Sequence, residues 1–404
     1  MSAPDRPLKI LMIAPTSFFG DYGGHIRIYE ETLALQALGH RVTIVTYYKG
    51  RDVDGLDIRR TAPLPWHTNY EVGSSRHKFA FDLYLAGKAW SVARRLRPDI
   101  IHGHMHEGAL IGAAVAQIRH TPLLFDFQGS LSAEMVDHGF LRAGGQTHAL
   151  FHRLERFICR QPDAILTSSL RAHALLTRDF GISAERITPL PDCVDTTRFD
   201  PARFTPAEQA AVKAQWGLPP DQPLVVYLGL LADYQGIPHL LQAAARLKQR
   251  NTPGHFLIMG YPNVAQYRAL AARLDVSDRV TFTGKVHYDL APLYLSLGDV
   301  AISAKMSATE GSGKVLNYMA LGLPVVAYDN PVHREFLGDD GVYAPIGDVA
   351  ALADQCARLF AQPEERRRLG AQLRQRVMQE FDWRCAAQEI AALYLRLLAA
   401  KGRL

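Results

Sequence analysis

The stretch from Ala304 to Val326, AKMSATEGSGKVLNYMALGLPVV, contains a glycine-rich loop, an amphipathic helix and an apolar strand that begins after a proline. Glycines leave room for a ligand to approach backbone N–H groups, and the positive end of a helix dipole attracts a phosphate. Lys314 adds a full positive charge at the start of this helix. The stretch therefore predicts a phosphate-binding loop.

Strands and helices alternate along the whole chain. Short β-type runs lie at 9–14, 41–46, 99–102, 122–127 and 163–167, and again at 224–229, 255–260, 279–283, 299–303 and 324–327. This alternation is typical of βαβ units in a parallel, doubly wound sheet. Because the pattern restarts in the second half, it predicts an α/β protein with two Rossmann-like domains whose strand ends face a cleft.

A proline-rich segment separates the two halves. Residues 189–209, PLPDCVDTTRFDPARFTPAEQ, contain four prolines, as expected of a linker. We place an N-terminal domain at 1–190, the linker at 191–209 and a C-terminal domain at 210–380. A last helix at 381–404 has no strand after it and must pack on an existing surface.

Length and composition restrict the class of protein. The chain has 404 residues, of which 48% are hydrophobic and 21% charged, which is typical of a soluble protein with more than one core. A net charge of +5 suits anionic substrates or an anionic bilayer surface but is too small to indicate nucleic acid. Four scattered cysteines favour a reducing cytoplasm. No signal peptide or membrane span is expected.

The sequence Gly311-Ser312-Gly313-Lys314 also invites comparison with a P-loop. A P-loop has an earlier glycine and a Ser or Thr after the lysine, and these places hold Ala308 and Val315. No hydroxyl follows the lysine to hold magnesium. A structural turn with a solvated lysine remains the simplest alternative for this segment taken alone.

Several motifs occur in a fixed order along nearly the whole chain. They are GGH at 23–25 with LGHRV at 38–42, DCVD at 192–195 with Phe199 and Pro201, YLG at 227–229 with Gly236, and NYMALGLPVV at 317–326. In this order and spacing they resemble the retaining glycosyltransferase family 4, whose members have the GT-B fold. The resemblance implies a transferase that moves a sugar from a nucleotide-diphosphate sugar to a hydroxyl group. It also implies that the N-terminal domain lies on the acceptor side, that the C-terminal domain binds the nucleotide sugar and that the helix at 381–404 crosses back to the N-terminal domain.

The resemblance also implies roles for individual residues. The backbone of Gly23 and Gly24 would approach the donor diphosphate, since a side chain there would obstruct it. Gln128 occupies the place of a histidine near the transferred sugar. Gly229 belongs to the turn that opens the second domain, and Val286 would flank the nucleotide base.

The glycine-rich loop would hold most of the donor. Glu310 lies near the family's first motif acid, which contacts the sugar, and Asn317 stands where a second acid holds the ribose. The further donor-binding residues implied are Gly311, Ser312, Gly313, Lys314 and Val315. Eight residues before Asn317 stands Thr309, so Glu310 matches only if the loop is one residue shorter than usual.

The chain departs from the family at the cations that stabilise the leaving diphosphate. Leu230 and Gln235 stand where the family commonly has Arg and Lys. Because leaving-group charge must be stabilised, we expect another cation to replace them. Lys314 is the first candidate, followed by Lys305 and Arg27.

Three histidines near the strand at 99–102 raise the question of a metal. His102, His104 and His106 are followed by Glu107, but no cysteine or carboxylate cluster completes a set of ligands, and successive strand residues point to different sides. We therefore expect no metal site and no cofactor, in agreement with the family's general independence of metals.

Two basic clusters and an aromatic group lie in the first half. Arg153, Arg156 and Arg160 share a helix face, and a second cluster contains Lys88, Arg94, Arg95 and Arg97. Such faces are usually only solvated, and the alternative is peripheral contact with an anionic membrane that holds a lipid-linked acceptor. We expect most of the nearby aromatic residues to be core: Trp66, Tyr70, Phe79, Phe81, Tyr84 and Trp90.

The function favoured is a cytoplasmic, metal-independent, retaining glycosyltransferase with UDP or GDP as the expected sugar carrier and a glycan or lipid-linked glycan as acceptor. A degenerate GT-B protein that binds a sugar nucleotide or a partner enzyme without transfer is the alternative. Leu230, Gln235 and Asn317 favour that alternative. A nucleotide-sugar epimerase or dehydrogenase ranks lower, because APTSFFGDYGG at 14–24 lacks the Gly-x-Gly-x-x-Gly turn.

Overall fold

The computed structural model describes residues 6–20, 23–64, 78–137, 140–306 and 312–403. These residues form two compact units. The first unit contains the described residues up to 192 together with 383–403, and the second contains those of 193–306 and 312–382. The last helix is therefore part of the first unit.

The described part of the first unit is built on a seven-stranded parallel sheet with strand order β3-β2-β1-β4-β5-β6-β7. Its strands are β1 (Lys9–Ala14), β2 (Arg41–Thr46), β3 (Asp57–Arg60), β4 (Ile100–His104), β5 (Leu123–Phe127), β6 (Ala164–Thr167) and β7 (Ile187–Pro189). The central strands β4 and β5 are buried at every residue. Because helices cover both faces of a parallel sheet, even the polar residues of these two strands, His102, His104 and Asp126, are buried.

Helices of the first unit pack on this sheet. They are α1 (Gly23–Ala37), α2 (Lys78–Leu96), α3 (Met105–Arg119), α4 (Leu131–Asp137), α5 (Gln146–Arg160), α6 (Leu170–Ala174) and, from the chain's end, α15 (Trp383–Ala400). Helix α15 packs against α1 and buries Ile390, Tyr394 and Leu398. Its apolar face thus finds a partner although no strand follows it.

The second unit has a six-stranded parallel sheet among its described residues, with strand order β10-β9-β8-β11-β12-β13. Its strands are β8 (Leu224–Leu228), β9 (His255–Met259), β10 (Val280–Gly284), β11 (Val300–Ser303), β12 (Val325–Tyr328) and β13 (Val342–Ala344). Its helices are α7 (Pro206–Gln215), α8 (Ile237–Gln249), α9 (Val264–Arg273), α10 (Ala291–Leu295), α11 (Gly313–Ala320), α12 (Pro331–Leu337), α13 (Val349–Ala361) and α14 (Pro363–Glu380).

The order of strands places the carboxyl ends of β8 and β11 side by side at the centre of this sheet. From β8 the chain continues to β9 on one side, and from β11 it continues to β12 on the other side. Ligands of open α/β sheets bind at such a switch point. After β11 the described residues continue to Met306, and helix α11 begins at Gly313.

The predicted fold of two Rossmann-like units with parallel sheets is confirmed. Residues 193–205, which precede α7, pack on the second unit: the backbone N–H of Val194 donates to Phe381, and Phe199 contacts the ring of Tyr288. Within the described residues, no helix combines the length and the apolar character needed to cross a bilayer.

The expectation that the aromatic residues after β2 are mostly core is wrong for α2. Phe81 packs against the core, but Phe79 is 83% exposed, and Tyr84 and Trp90 are also exposed. Their side chains lie on the outer face of the helix, opposite the buried Leu85. Trp66 and Tyr70 lie outside the described residues.

Candidate functional site

The turn after β8 forms the centre of the site in the second unit. Gly229 has φ +154° and its N–H donates to the carbonyl of Met259 at the end of β9. A Cβ on Gly229 would lie 3.1 Å from the hydroxyl oxygen of Tyr227 and 3.4 Å from Nζ of Lys314. The glycine therefore lets the backbone turn close to a tyrosine and a lysine.

Lys314 reaches this turn from the first turn of α11. Its Nζ donates to Oε1 of Gln235 at 2.7 Å and to the hydroxyl of Tyr227 at 3.2 Å, and lies 4.4 Å from the centre of the Tyr227 ring. The Tyr227 hydroxyl in turn donates to the carbonyl of Leu230. A half-buried ammonium is thus fixed beside the two positions, 230 and 235, at which the expected cations are missing.

Tyr227 and Gln235 are functional neighbours that the sequence did not reveal. In the sequence, Gln235 stands where the family commonly has a lysine. In the structure, its amide oxygen accepts a hydrogen bond from Lys314 of α11. In the sequence, only strand alternation indicates that Tyr227 belongs to the site: it lies two residues before Gly229, and residues two apart on a strand lie on the same side. Burial raises the pKa of Tyr227 well above its ordinary value, so the phenol stays neutral.

The start of α11 offers further polar groups. Ser312 precedes the first helical residue, Gly313, and is 3% exposed. Its Oγ has no hydrogen-bond partner among the described residues. Val315 is buried in the core below, while Asn317 is half-buried and lies three residues after Lys314, on the same face of the helix.

The ends of β11 and β12 supply a second lysine and a neutral histidine. Lys305 is buried, and its carbonyl accepts from the amide of Asn330. His333 Nδ1 is 2.7 Å from the carbonyl of Tyr328, and Nε2 is 2.9 Å from Oγ of Ser303. Burial lowers the pKa of His333 to about 4, with the charges of Lys314 and Lys305 acting in the same direction.

The loop after β10 lies beside the same strand ends. The carbonyl of Gly284 accepts from the N–H of Gly260, which follows β9. Lys285 places its Nζ 5.2 Å from the ring centre of Tyr261, and Val286 is half-buried next to it. The expected base-flanking segment therefore lies near the turns that follow β8 and β9.

In the first unit, two of the expected residues meet. Gly24 lies in the first turn of α1, and a Cβ there would be 3.2 Å from Oε1 of Gln128 and 3.3 Å from Cε of Met105. Gln128 donates from Nε2 to Asp126 at 2.8 Å. A Cβ on Gly23 would meet nothing within 4 Å, so the backbone of α1 begins in open space.

Behind them lies a buried ion pair. Arg27 is 4% exposed and donates from Nε and Nη2 to the two carboxylate oxygens of Asp126, both at 2.9 Å. It also contacts Asp192 at 3.1 Å. Burial alone would raise the pKa of Asp126, but the charge of Arg27 holds it well below its ordinary value. The charge of Arg27 is used inside the first unit, so its expected role as a replacement cation is wrong.

The histidines of β4 form a cluster that the sequence did not predict. The rings of His102 and His104 stack with centres 4.5 Å apart, because residues two apart on a strand point to the same side. Contrary to expectation, a carboxylate accompanies them: Glu31 of α1 lies 3.1 Å from His102 Nδ1. Candidate ligand atoms of the three lie within 4.8 Å of one another.

Neighbouring side chains hold the two histidines through their Nδ1 atoms, whereas Nε2 of each ring and both carboxylate oxygens of Glu31 have no hydrogen-bond partner among the described residues. His102 Nδ1 is 2.8 Å from the hydroxyl of Tyr394 on α15, and His104 Nδ1 is 3.1 Å from Asp126. Arg27 supplies positive charge near Glu31 and Asp126. The arrangement connects α1, β4, β5 and α15 through buried polar contacts, and we interpret it as a structural network.

Two of the expected site residues, Glu310 and Gly311, lie outside the described residues. The other expected donor residues of the second half surround two strand ends and the start of α11: Gly229, Val286, Ser312, Gly313, Lys314, Val315 and Asn317. Gly23, Gly24 and Gln128 belong to the first unit.

Comparison with known proteins agrees with this arrangement. Residues 208–376 match the family described as glycosyl transferases group 1, and residues 23–193 match a glycosyl transferase 4-like domain. A 2-deoxystreptamine glucosyltransferase of Streptomyces kanamyceticus is 26% identical over 360 residues, which are 84% of this chain and 89% of the relative.

Solved structures share the fold. A sucrose-phosphate synthase of Thermosynechococcus elongatus has a TM-score of 0.80 at 21% identity and covers 97% of this chain and 100% of its own. An Anabaena protein solved in complex with UDP and glucose has a TM-score of 0.76 at 17% identity, with 96% of this chain and 99% of its own covered. Together the two family matches span most of the sequence, and the chain is a glycosyltransferase that belongs to family 4 and has the GT-B fold.

Proposed function

We propose that this chain transfers a sugar from a nucleotide-diphosphate sugar to a hydroxyl group of a glycan or lipid-linked glycan, with retention of the anomeric configuration. The observation that carries the proposal is the position of Lys314. Its ammonium is held by Gln235 and Tyr227 beside Gly229, at the carboxyl end of a central strand. A fixed cation at this place suits the leaving diphosphate of a donor sugar.

The surrounding groups suit a nucleotide donor. The first residues of α11 direct backbone N–H groups and the helix dipole towards an anion, and the unpartnered Oγ of Ser312 can donate to the same group. Asn317 can bond a ribose hydroxyl, and Val286 can contact the base. We favour UDP over GDP as the carrier, and the relative solved with UDP and glucose supports this choice.

The proposed reaction breaks the bond between the anomeric carbon of the sugar and the oxygen of the diphosphate. A bond to the acceptor hydroxyl oxygen forms on the same face of the sugar. The hydroxyl proton passes to an oxygen of the leaving phosphate, so the products are the new glycoside and a nucleoside diphosphate. Lys314 stabilises the negative charge that develops on the leaving group. Because a side chain supplies this charge, we propose that no metal is required.

Two further residues complete the proposal. Glu310 would contact the transferred sugar, as the family resemblance implies. Gln128 would contact the sugar or acceptor from the first unit, where its amide group is held by Asp126 against Gly24. A neutral amide at this place can both donate to and accept from sugar hydroxyls.

The experiment that tests the proposal measures thermal stabilisation by UDP-, GDP-, ADP-, CDP- and dTDP-sugars with a metal chelator present. A ligand far above its Kd stabilises by about 2–4 kcal/mol. We expect one nucleotide to raise the Tm of wild-type protein and to raise it less in Lys314→Met. NMR of the product anomer then tests retention. An inverted product would overturn the retaining mechanism, and loss of stabilisation on chelation would overturn metal independence.

The alternative is a sugar-nucleotide-binding protein without transfer. The apolar side chain of Leu230 favours it, because one of the two usual cations then has no counterpart. Stabilisation by a donor, with neither slow hydrolysis nor transfer to any sugar acceptor, would establish this alternative. No stabilisation by any donor would contradict both.

A further inference from the structure

Three neighbouring helices of the first unit, α2, α3 and α5, carry apolar stripes on their outer surfaces. The exposed members are Phe79, Leu83 and Trp90 on α2, Leu110, Ala114 and Ile118 on α3, and Leu150, Leu154 and Phe157 on α5. We call these nine residues the apolar face. Their successive spacings of three, four and seven residues place the members of each set on one side of their helix.

These side chains are turned away from the core by the geometry of the helices. On α2 the inward positions are Leu85, Ala89 and Ala93, which are completely buried. Leu83 lies two residues before Leu85, and two residues correspond to more than half a turn. Leu83 is accordingly 73% exposed. The apolar face is a second hydrophobic surface and not an uncovered part of the core.

The exposed apolar residues are concentrated here. Among the described residues, fourteen large hydrophobic side chains are exposed, and nine of them lie on these three helices. Single exposed leucines are ordinary, but a large contiguous apolar patch marks an interaction surface. An open groove of about 530 Å³ lies between α3 and α5; Leu110, Ala114 and Phe157 of the apolar face line part of it, and Gln117, His120, Gln161, Asp163 and Lys401 are among the residues that line the rest.

The acidic and the basic residues of the same three helices differ in their contacts and exposure. All three acidic residues are held by polar partners: Asp82 accepts from the Tyr47 hydroxyl at 2.6 Å, Glu107 pairs with Lys78 at 2.5 Å, and Glu155 accepts from the Ser132 hydroxyl at 2.6 Å. In contrast, the arginines Arg94, Arg95, Arg153, Arg156 and Arg160 are exposed. The outer surface of these helices is therefore apolar and positively charged.

We infer that the apolar face docks on an anionic lipid bilayer. Apolar side chains would enter the boundary between headgroups and acyl chains, while arginines beside them contact the lipid phosphates. A second copy of this chain fits less well, because a two-fold contact through this face would place like charges against each other. The inference concerns the first unit and does not rest on the transfer reaction.

The test is flotation of the full-length protein with vesicles of phosphatidylcholine, with or without phosphatidylglycerol. We expect binding to the anionic vesicles that falls as salt rises. Arg153→Gln with Arg156→Gln should weaken it roughly 30-fold, since each basic residue near the surface contributes about fivefold. Leu83→Asp with Phe157→Asp should abolish it, because carboxylates would then face the lipid.

Matched variants in the second unit separate this effect from a general change of charge or surface. Arg246→Gln with Arg273→Gln and Ile346→Asp change exposed residues of the same types there, and they should bind as wild type does. Unchanged Tm values establish that the docking variants fold. Failure to bind either vesicle, or binding that both docking variants retain, would overturn the inference. A dimer in light scattering that Leu83→Asp with Phe157→Asp dissociates would also overturn it and assign the face to a second copy.

Discussion

At the residue scale, Lys314 and Gln235 show how a positive charge can come from another element. The turn after β8 carries a glutamine in place of the expected lysine, and the first turn of α11 supplies a lysine whose Nζ lies 2.7 Å from that glutamine. Under the proposed function, the ammonium of Lys314 replaces the cation that is missing from the turn after β8.

The contact between Lys314 and Gln235 predicts that a positive charge at position 235 can replace the one at position 314. Lys314→Met keeps most of the side-chain volume and removes the ammonium, so kcat should fall on the order of 10²- to 10³-fold. Adding Gln235→Lys should recover at least part of the lost kcat, since the side chain at position 235 contacts the ammonium of Lys314 in the wild-type protein. Lys213→Met on α7 is the matched control and should leave kcat unchanged. Steady-state rates with the preferred donor give the comparison, and a double variant as slow as the single one would argue against a shared position.

His333 gives a prediction about pH. Its pKa is lowered to about 4 in the folded protein, chiefly by burial, whereas an unfolded chain has the ordinary value near 6.5. As pH falls from 7 to 5, the unfolded state takes up a proton that the folded state does not, so this residue should cost about 2 kcal/mol of stability. His333→Asn should show a smaller decrease. Urea unfolding of the second unit at the two pH values measures the difference, and equal decreases would contradict the lowered pKa.

At the scale of elements, the strands that could be predicted are the buried ones. All ten predicted runs form strands with ends within two residues of the expected positions. The three strands not predicted, β3, β7 and β13, lie at sheet edges. Strand β3 reads DIRR and has no buried residue, and the other two are three residues long. These three strands are polar or very short, so they lack the apolar run that made the others recognisable.

The turn before α8 gives a prediction at this scale. Gly236 has φ +80°, and a Cβ there would overlap the carbonyl oxygen of Ala304, which follows β11. Gly236→Ala should therefore destabilise the second unit by at least about 2 kcal/mol and disturb the donor site. Gly217 has φ +60° with nothing within 4 Å of an added Cβ, so Gly217→Ala should cost only about 1 kcal/mol. Thermal unfolding of both variants tests this prediction. Equal losses of stability would contradict it, because they would show that the overlap with Ala304 is removed by a small shift of the backbone.

At the scale of the whole molecule, the last helix completes the first unit. Helix α15 packs on α1, and the hydroxyl of Tyr394 bonds His102 in the buried network. A chain that ends at Asp382 should therefore leave the apolar and polar groups of α1 exposed. Hydrogen exchange should rise in α1 and β4 but not in β8 or β12. Full protection of α1 in the shortened chain would show that the first unit does not need α15.

The candidate site was less predictable than the fold, for a physical reason. Local motifs identify loops such as that containing Ser312 and Gly313, because helix starts and glycines have local signatures. Contacts such as Lys314 with Gln235, or Glu31 with His102, join residues far apart in the sequence. A single sequence does not show which distant residues lie close together in the fold. The burial of Arg27 of α1 in an ion pair likewise depends on Asp126 of β5, 99 residues later in the sequence.

The central claim is that Lys314 stabilises the leaving diphosphate in sugar transfer. The most direct measurement is the initial rate of nucleoside diphosphate release from a panel of nucleotide sugars, with wild-type protein and Lys314→Met compared at saturating donor. We expect release from one class of nucleotide sugar and a rate on the order of 10²-fold lower or more in the variant. Equal rates in the two proteins would contradict the account.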